Sequence, residues 1–300
     1  MNHAMLTKCV PVLLALAALQ VFCTTGAKAQ TVYTFVSASG SDSNDCSTPA
    51  TACITFQTAH NKTLDGGTIS CVNPYYYSSI TIIKSITIDC LAGGGGFNGS
   101  QLHINAPGKT VKLQNLSLVT VALSNSIVIL AANTVQLSNV RVAGVNGPGI
   151  LDQRTGPGRL IISDSFVENN SGPGIVIVPA GGIIGAVLNN VQSTNNGYGV
   201  AVGVGGRVMI TRSVFSWNNV TGIHADAGAV NGIDDTSASF NQNGIVGNTN
   251  VTLSNSNINS NTNGILGATR SYGSNRIFAN SNPGIAPIPV GSLSSENGLQ

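Results

Sequence analysis

The feature that most constrains this chain is a ladder of Gly-Ile pairs. Gly149-Ile150, Gly174-Ile175, Gly199-Val200, Gly222-Ile223, Gly244-Ile245, Gly264-Ile265 and Gly284-Ile285 recur at spacings of 25, 25, 23, 22, 20 and 20 residues. A second series leads it: Leu137 to Asn139, Ile162 to Asp164, Leu188 to Asn190, Ile210 to Arg212, Ile233 to Asp235 and Leu253 to Asn255. Five residues after its apolar member comes Val142, Val167, Ser193, Phe215, Ala238 or Ile258. Three further on stand Asn170, Asn196, Asn218, Asn241 and Asn261, with Val145 as the exception.

Each repeat therefore reads as short strand, polar corner, short strand, Asn corner, Gly, short strand. The strands alternate apolar and polar residues with period two. The corners carry Asn and Gly, which tolerate left-handed backbone. A single coil of this kind cannot bury its inner face. Stacked coils can, because each strand pairs in parallel with its copy ~4.8 Å away. The expected fold is all-β, a solenoid of about nine coils of parallel strands with a short N-terminal capping helix. Leucine-rich and all-helical solenoids would need an L-x-x-L-x-L frame or a 3.6-residue period, and neither is present. A β-sandwich does not require register-locked repeats of this length.

The composition agrees. Only 8% of residues are charged, against about a quarter in ordinary domains. Gly, Asn, Ser, Val and Ile dominate, which disfavours helices. The apolar content excludes simple disorder.

The two ends differ from the middle. Val10 to Val21 is an apolar run too short to span a bilayer, and Ala27-Lys28-Ala29 follows as an A-x-A cleavage site. Residues 1–29 are thus expected to be an export signal, with a mature chain from Gln30 that is secreted or periplasmic and has no membrane span. Cys46, Cys53, Cys71 and Cys90 then sit in an oxidising compartment. Pairing of Cys46 with Cys53 and of Cys71 with Cys90 is the expected one of three connectivities. No Cys or His spacing suggests a metal site or a redox enzyme. Ile54 to Thr63 reads as a helix with Phe56 and Ala59 on one face and Thr55 as N-cap. It would cover the first coil, in a disulfide-pinned cap over residues 30–65. The β-helix is expected over 66–288 and a tail over 289–300. Pro283, Pro287 and Pro289 fall where the ladder must stop, since proline cannot donate to a following strand.

These residues resemble the right-handed parallel β-helix proteins of the pectin-lyase-like superfamily. The resemblance covers Tyr33 to about Ile288, and the run from Val36 to Asp89 is similar to the opening of small exported bacterial β-helix proteins, which have no settled activity as a group. The resemblance implies the fold and leaves the chemistry open, because many activities share this scaffold. Pectinases of the superfamily carry N-T-D, G-x-D-D, G-H-G and R-I-K; here only Gly232-Ile233-Asp234-Asp235 matches. The motifs of pectin methylesterases and mannuronan epimerases are absent from the sequence. Pectate lyases need several acidic calcium ligands and a basic proton acceptor. Asp226 with Arg207 or Arg212 is the nearest approach, so calcium enters only if the protein is a lyase, and no other cofactor is expected.

The register decides how to read Asp234 and Asp235. They fall in the columns of Ser138, Ser163, Asn189, Thr211 and Ser254, and of Asn139, Asp164, Asn190, Arg212 and Asn255. Both are polar corner positions, where such side chains cap backbone groups. His224 and Asp226 are different. With Ile223 and Ala225 inward, both face outward together, ~6–7 Å apart at Cα. With Arg207 they form the candidate catalytic set, suited to general acid–base chemistry. A glycosidase would need a second carboxylate on that face, yet Asp152 has the wrong parity and Asn248 is neutral.

In the row of His224 the other coils carry Leu151, Val176, Ala201, Val246 and Leu266, an apolar stripe suited to a partner, another copy or a covering loop. Tyr75, Tyr76, Tyr77 and Trp217 are the candidate ligand-binding aromatics. After removal of Lys8 and Lys28 the formal charge is zero, and no Lys/Arg cluster supports nucleic acid binding. Three functions follow as expectations. The first is a non-catalytic exported protein that binds polysaccharide or a surface protein. The second is a lyase or hydrolase of a uronate-type polymer. The third is a self-associating structural protein.

Overall fold

The computed structural model describes residues 30–74, 76–91, 95–98, 101–119 and 126–290. The expected export signal, Tyr75 and residues 291–300 lie outside them. The described chain winds into a parallel β-solenoid of about nine turns with one short helix.

Three columns of inward residues make the core, and each is carried from coil to coil by parallel pairing in fixed register. On the first face Ile88, Leu113, Leu137, Ile162, Leu188, Ile210, Ile233 and Leu253 stack in order. On the second, Leu118, Val142, Val167, Ser193, Phe215, Ala238 and Ile258 do so. On the third, Ile80, Leu102, Ile127, Ile150, Ile175, Val200, Ile223, Ile245 and Ile265 do so. Nearly all of these side chains are fully buried, so each coil closes its neighbour's core.

Left-handed residues turn the chain between faces. At the first corner Asn115, Asn139, Asp164, Asn190, Arg212, Asp235 and Asn255 all have φ between 45° and 57°. At the second corner Asn169, Asn195, Trp217, Phe240, Ser260 and Ala279 have φ between 54° and 59°. The residue after each of these turns inward, and there the recurrent asparagines form a buried amide ladder. Asn170 Nδ2 donates to Asn196 Oδ1, Asn218 to Asn241, Asn241 to Asn261 and Asn261 to Asn280. Each Oδ1 also accepts the backbone N–H of the preceding rung, as Asn218 does from Asn196 and Asn241 from Asn218. The corner bends away from the sheet and would otherwise leave these donors unpaired. Val145 carries no side-chain amide, yet its N–H donates to Asn170 Oδ1 as at the other rungs.

The helix Phe56–Lys62 lies against the first strands. The Thr55 hydroxyl accepts from Thr58 N–H, and Phe56, Ala59 and His60 are buried. Burial, with Lys84 nearby, holds His60 below the usual histidine pKa, and its Nε2 accepts from Ile83 N–H. Asp42 ties the loop to the helix start by accepting from Ile54, Thr55 and the Thr55 hydroxyl. The disulfides join Cys46 to Cys53 and Cys71 to Cys90. The strand Thr31–Val36 pairs in parallel with Thr63–Cys71, so part of the region expected as a cap already belongs to the first coil. At the other end pairing reaches Pro289. Asn282, Ile285, Ile288 and Val290 donate back to the preceding coil, and the intervening prolines lie in the last coil described.

Candidate ligand-binding faces

Most carboxylates are already occupied as ties. Asp65 meets Lys109, Glu168 meets Arg141, and Asp164 accepts from Asn190. Asp234 accepts from the Ser254 hydroxyl and Asn255 Nδ2, which holds its carboxyl below the usual range. Asp235 sits in the left-handed corner with φ 45°. The Asp-Asp pair is thus coil-to-coil stitching of the kind that Ser and Asn provide in neighbouring turns. Asp152 faces inward, fully buried, and its carboxylate is gripped by Arg154, whose guanidinium also donates to Ala132 O and Arg159 O.

His224 and Asp226 stand together outside. His224 Nε2 lies 3.0 Å from Asp226 Oδ1, while Ile223 and Ala225 on either side of His224 are buried. Tyr198 meets the imidazole edge-on at 5.6 Å. His224 Nδ1 is buried without a partner. Asn248 donates to the Asp226 backbone rather than to its carboxylate. Among the described residues no group of three or more His, Cys, Asp or Glu side chains could hold a metal ion. Arg207 does not join the pair. It lies in Gly206–Thr211 on the first face, whereas His224 lies on the third. The apolar row is in register as Leu151, Val176, Ala201, His224, Val246 and Leu266. Val176 is buried and the others are half-buried.

Arg207 instead edges a groove of about 450 Å³ on the outer side of the first face. Its floor is the outward row Ile161, Val187 and Met209, which stack in consecutive coils. Along one side runs the row Arg159, Gly185, Arg207, Val230. Along the other runs Ser163, Asn189, Thr211, Asp234. Val187, Met209 and Val230 are each more than two-fifths exposed. Arg159 and Arg207 are exposed, two coils or ~10 Å apart. Neither guanidinium has a partner among the described residues, whereas Arg141, Arg154, Arg212 and Arg276 are all hydrogen-bonded.

Trp217 and Phe240 occupy consecutive rungs of the second corner. Their rings stack at 4.5 Å with 4° between planes, and both are exposed. A left-handed conformation costs a side chain with a Cβ roughly 1–2 kcal/mol. Aromatic stacking returns about 0.5–1.5 kcal/mol per pair. Two strained rings for one exposed stack is a poor exchange for stability alone. Of the other aromatic candidates, Tyr76 and Tyr77 form a short strand paired with Gly96 and Phe97, and their side chains lie outside the described part.

Two solved structures share this architecture. The crystal structure of pectate lyase Pel9A matches with TM-score 0.51 and 17% identity, over 83% of this chain and 79% of that one. A rhamnogalacturonan lyase matches with TM-score 0.52 and 12% identity, over 76% of this chain and 73% of that one. The likeness is one of fold. No protein-family profile matches the sequence, and neither does any curated protein. No described helix is long and apolar enough to cross a membrane.

Sequence reasoning alone missed Arg159, the Ile161/Val187/Met209 floor and Phe240. The register contained them. Three and five positions before the first-corner residue of each coil lie the groove floor and the arginine row, and one position before each recurrent Asn lies the Trp217/Phe240 column. No single residue type runs through these columns, so no periodicity marks them.

Proposed function

We propose that this protein binds an acidic polysaccharide along the first face, without turning it over. The groove with two unpartnered arginines carries the reading. Ile161, Val187 and Met209 offer an apolar floor to sugar C–H faces. Arg159 and Arg207 offer forked donors to carboxylates on the polymer. Ser163 and Thr211 offer hydroxyls opposite. Spare carboxylates for acid–base work are scarce, because Asp152, Asp164, Glu168 and Asp234 are tied into the solenoid. The structural neighbours, named as lyases of pectate and rhamnogalacturonan, support an acidic polymer as the partner class.

The His224–Asp226 pair favours one second reading, a lyase or hydrolase acting on a uronate polymer at the third face. Its imidazole, oriented by a carboxylate, is a fit proton acceptor, and calcium would be required only in that case.

The deciding experiment is calorimetric titration of the purified protein with polygalacturonate and rhamnogalacturonan, with and without calcium, while absorbance from unsaturated products is followed. Salt-sensitive binding without product is expected. Arg159→Gln and Arg207→Gln should each weaken it roughly tenfold. Product formation that His224→Ala abolishes would replace this reading with the enzymatic one.

A further inference from the structure

The aromatic pair at the second corner lies on the far side of the second face from the arginine groove, and it stands independently of that reading. Its column runs Asn169, Asn195, Trp217, Phe240, Ser260, Ala279, all left-handed. Asn195 Nδ2 donates to Asn169 Oδ1, continuing the amide habit on the outside. The next two rungs are rings, and the two after them are short. The stacking axis follows the coil axis, so Phe240 turns its second face toward Ser260.

Phe278 stands two coils beyond Phe240 in the adjoining row Ser239, Asn259, Phe278. Ile277 packs against the core, so Phe278 points outward, and it is 54% exposed. Two coils span roughly 10 Å. A saturated ring sandwiched at van der Waals contact needs about 7–8 Å. The spacing is that of one ring seated over Ser260 with Phe278 turned face-on to Phe240. The flanks are neutral hydrogen-bonding groups, Gln242 and Thr262 exposed on one side and Asn259 on the other. The nearby cation, Arg276, is hydrogen-bonded to Asn257.

We propose that Phe240 and Phe278, with Trp217 backing the stack, form a binding site for one pyranose ring of a neutral saccharide, which enters over Ser260 as the next rung. Faces of axial C–H meet the aromatic rings, so the fitting class is a pyranose with equatorial hydroxyls. Those hydroxyls, on the ring edge, reach the amides and hydroxyls of Gln242, Asn259 and Ser260. Apart from Arg276, the flanks are neutral, which separates the site from the groove with its two unpartnered guanidiniums.

Trp217 is the chain's one tryptophan, so its fluorescence reports this corner alone. Cellohexaose and xylohexaose should each change its emission saturably. Phe240→Asn should lower the affinity about tenfold or more. Asn is the column's own residue at two rungs and tolerates the backbone, so the fold should persist in circular dichroism. Phe240→Ser, which copies Ser260, serves if it does not. Arg159→Gln/Arg207→Gln should leave this response unchanged. The proposal falls if neither saccharide alters the emission or binds by calorimetry. It falls equally if natively folded Phe240→Asn binds as the parent does, or if only polygalacturonate produces the response.

Discussion

Two adjacent columns at the second corner obey opposite rules. The inner one reads Asn170, Asn196, Asn218, Asn241, Asn261, Asn280. The outer one, a single residue earlier, reads Asn169, Asn195, Trp217, Phe240, Ser260, Ala279. Every inner rung must satisfy the same backbone donor of its neighbour in a dry interior, so the same amide returns. Every outer rung needs only a positive φ, because its backbone N–H already donates to the next coil, as Asn195 does to Ser216 O and Trp217 to Ser239 O. Uniformity inside marks a structural demand, and variation outside marks where a surface can be specialised.

The sharpest test of that rule uses the ion pair buried in the interior of the described residues. Arg154→Met would leave the Asp152 carboxylate buried and unpaired, at a cost of about 3–5 kcal/mol. The double variant Asp152→Leu/Arg154→Met should recover most of it, because an apolar pair can replace a buried ion pair. Urea denaturation midpoints check both, and equal losses in single and double variants would show that the pair's charge is not the issue. Next comes the ladder itself. Asn218→Ala orphans Asn196 N–H and removes the amide donor to Ser193 C=O and to Asn241 Oδ1, which keeps only the Asn218 N–H, a loss expected near 3 kcal/mol. A loss under about 1 kcal/mol would mean that water or a shift of the corner replaces the amide. Smallest is the outer counterpart. Asn195→Gly keeps the left-handed backbone and forfeits one exposed hydrogen bond to Asn169, so it should stay within about 0.5 kcal/mol. A cost comparable to Asn218→Ala would erase the distinction between the columns.

The two ends show why some of the architecture was legible. Thr55, Phe56 and Ala59 announced the capping helix, because N-cap chemistry and a short apolar face are local signals. The four cysteines paired with their sequence neighbours, at separations of 7 and 19 residues. The inner columns were equally plain, since a solenoid repeats its core requirement every coil. The groove was not. A zero net charge after Gln30 gave no reason to expect an acidic polymer as partner, because net charge is a sum and carries no positions. Arg207 was marked with His224 and Asp226 for nearness in sequence, yet a corner of the coil puts it on another face. No sequence signal joins Arg159 to Arg207, 48 residues later in the chain but two coils away in space.

Repetition by itself therefore determined the coil, its register and its corners, because each is imposed by backbone hydrogen bonds and burial that recur in every turn. Only the tertiary structure decided which cations stay unpaired, which carboxylates are tied down and which rings share a corner. Those are properties of neighbours about 5 Å apart along the solenoid axis and 20 or more residues apart along the chain.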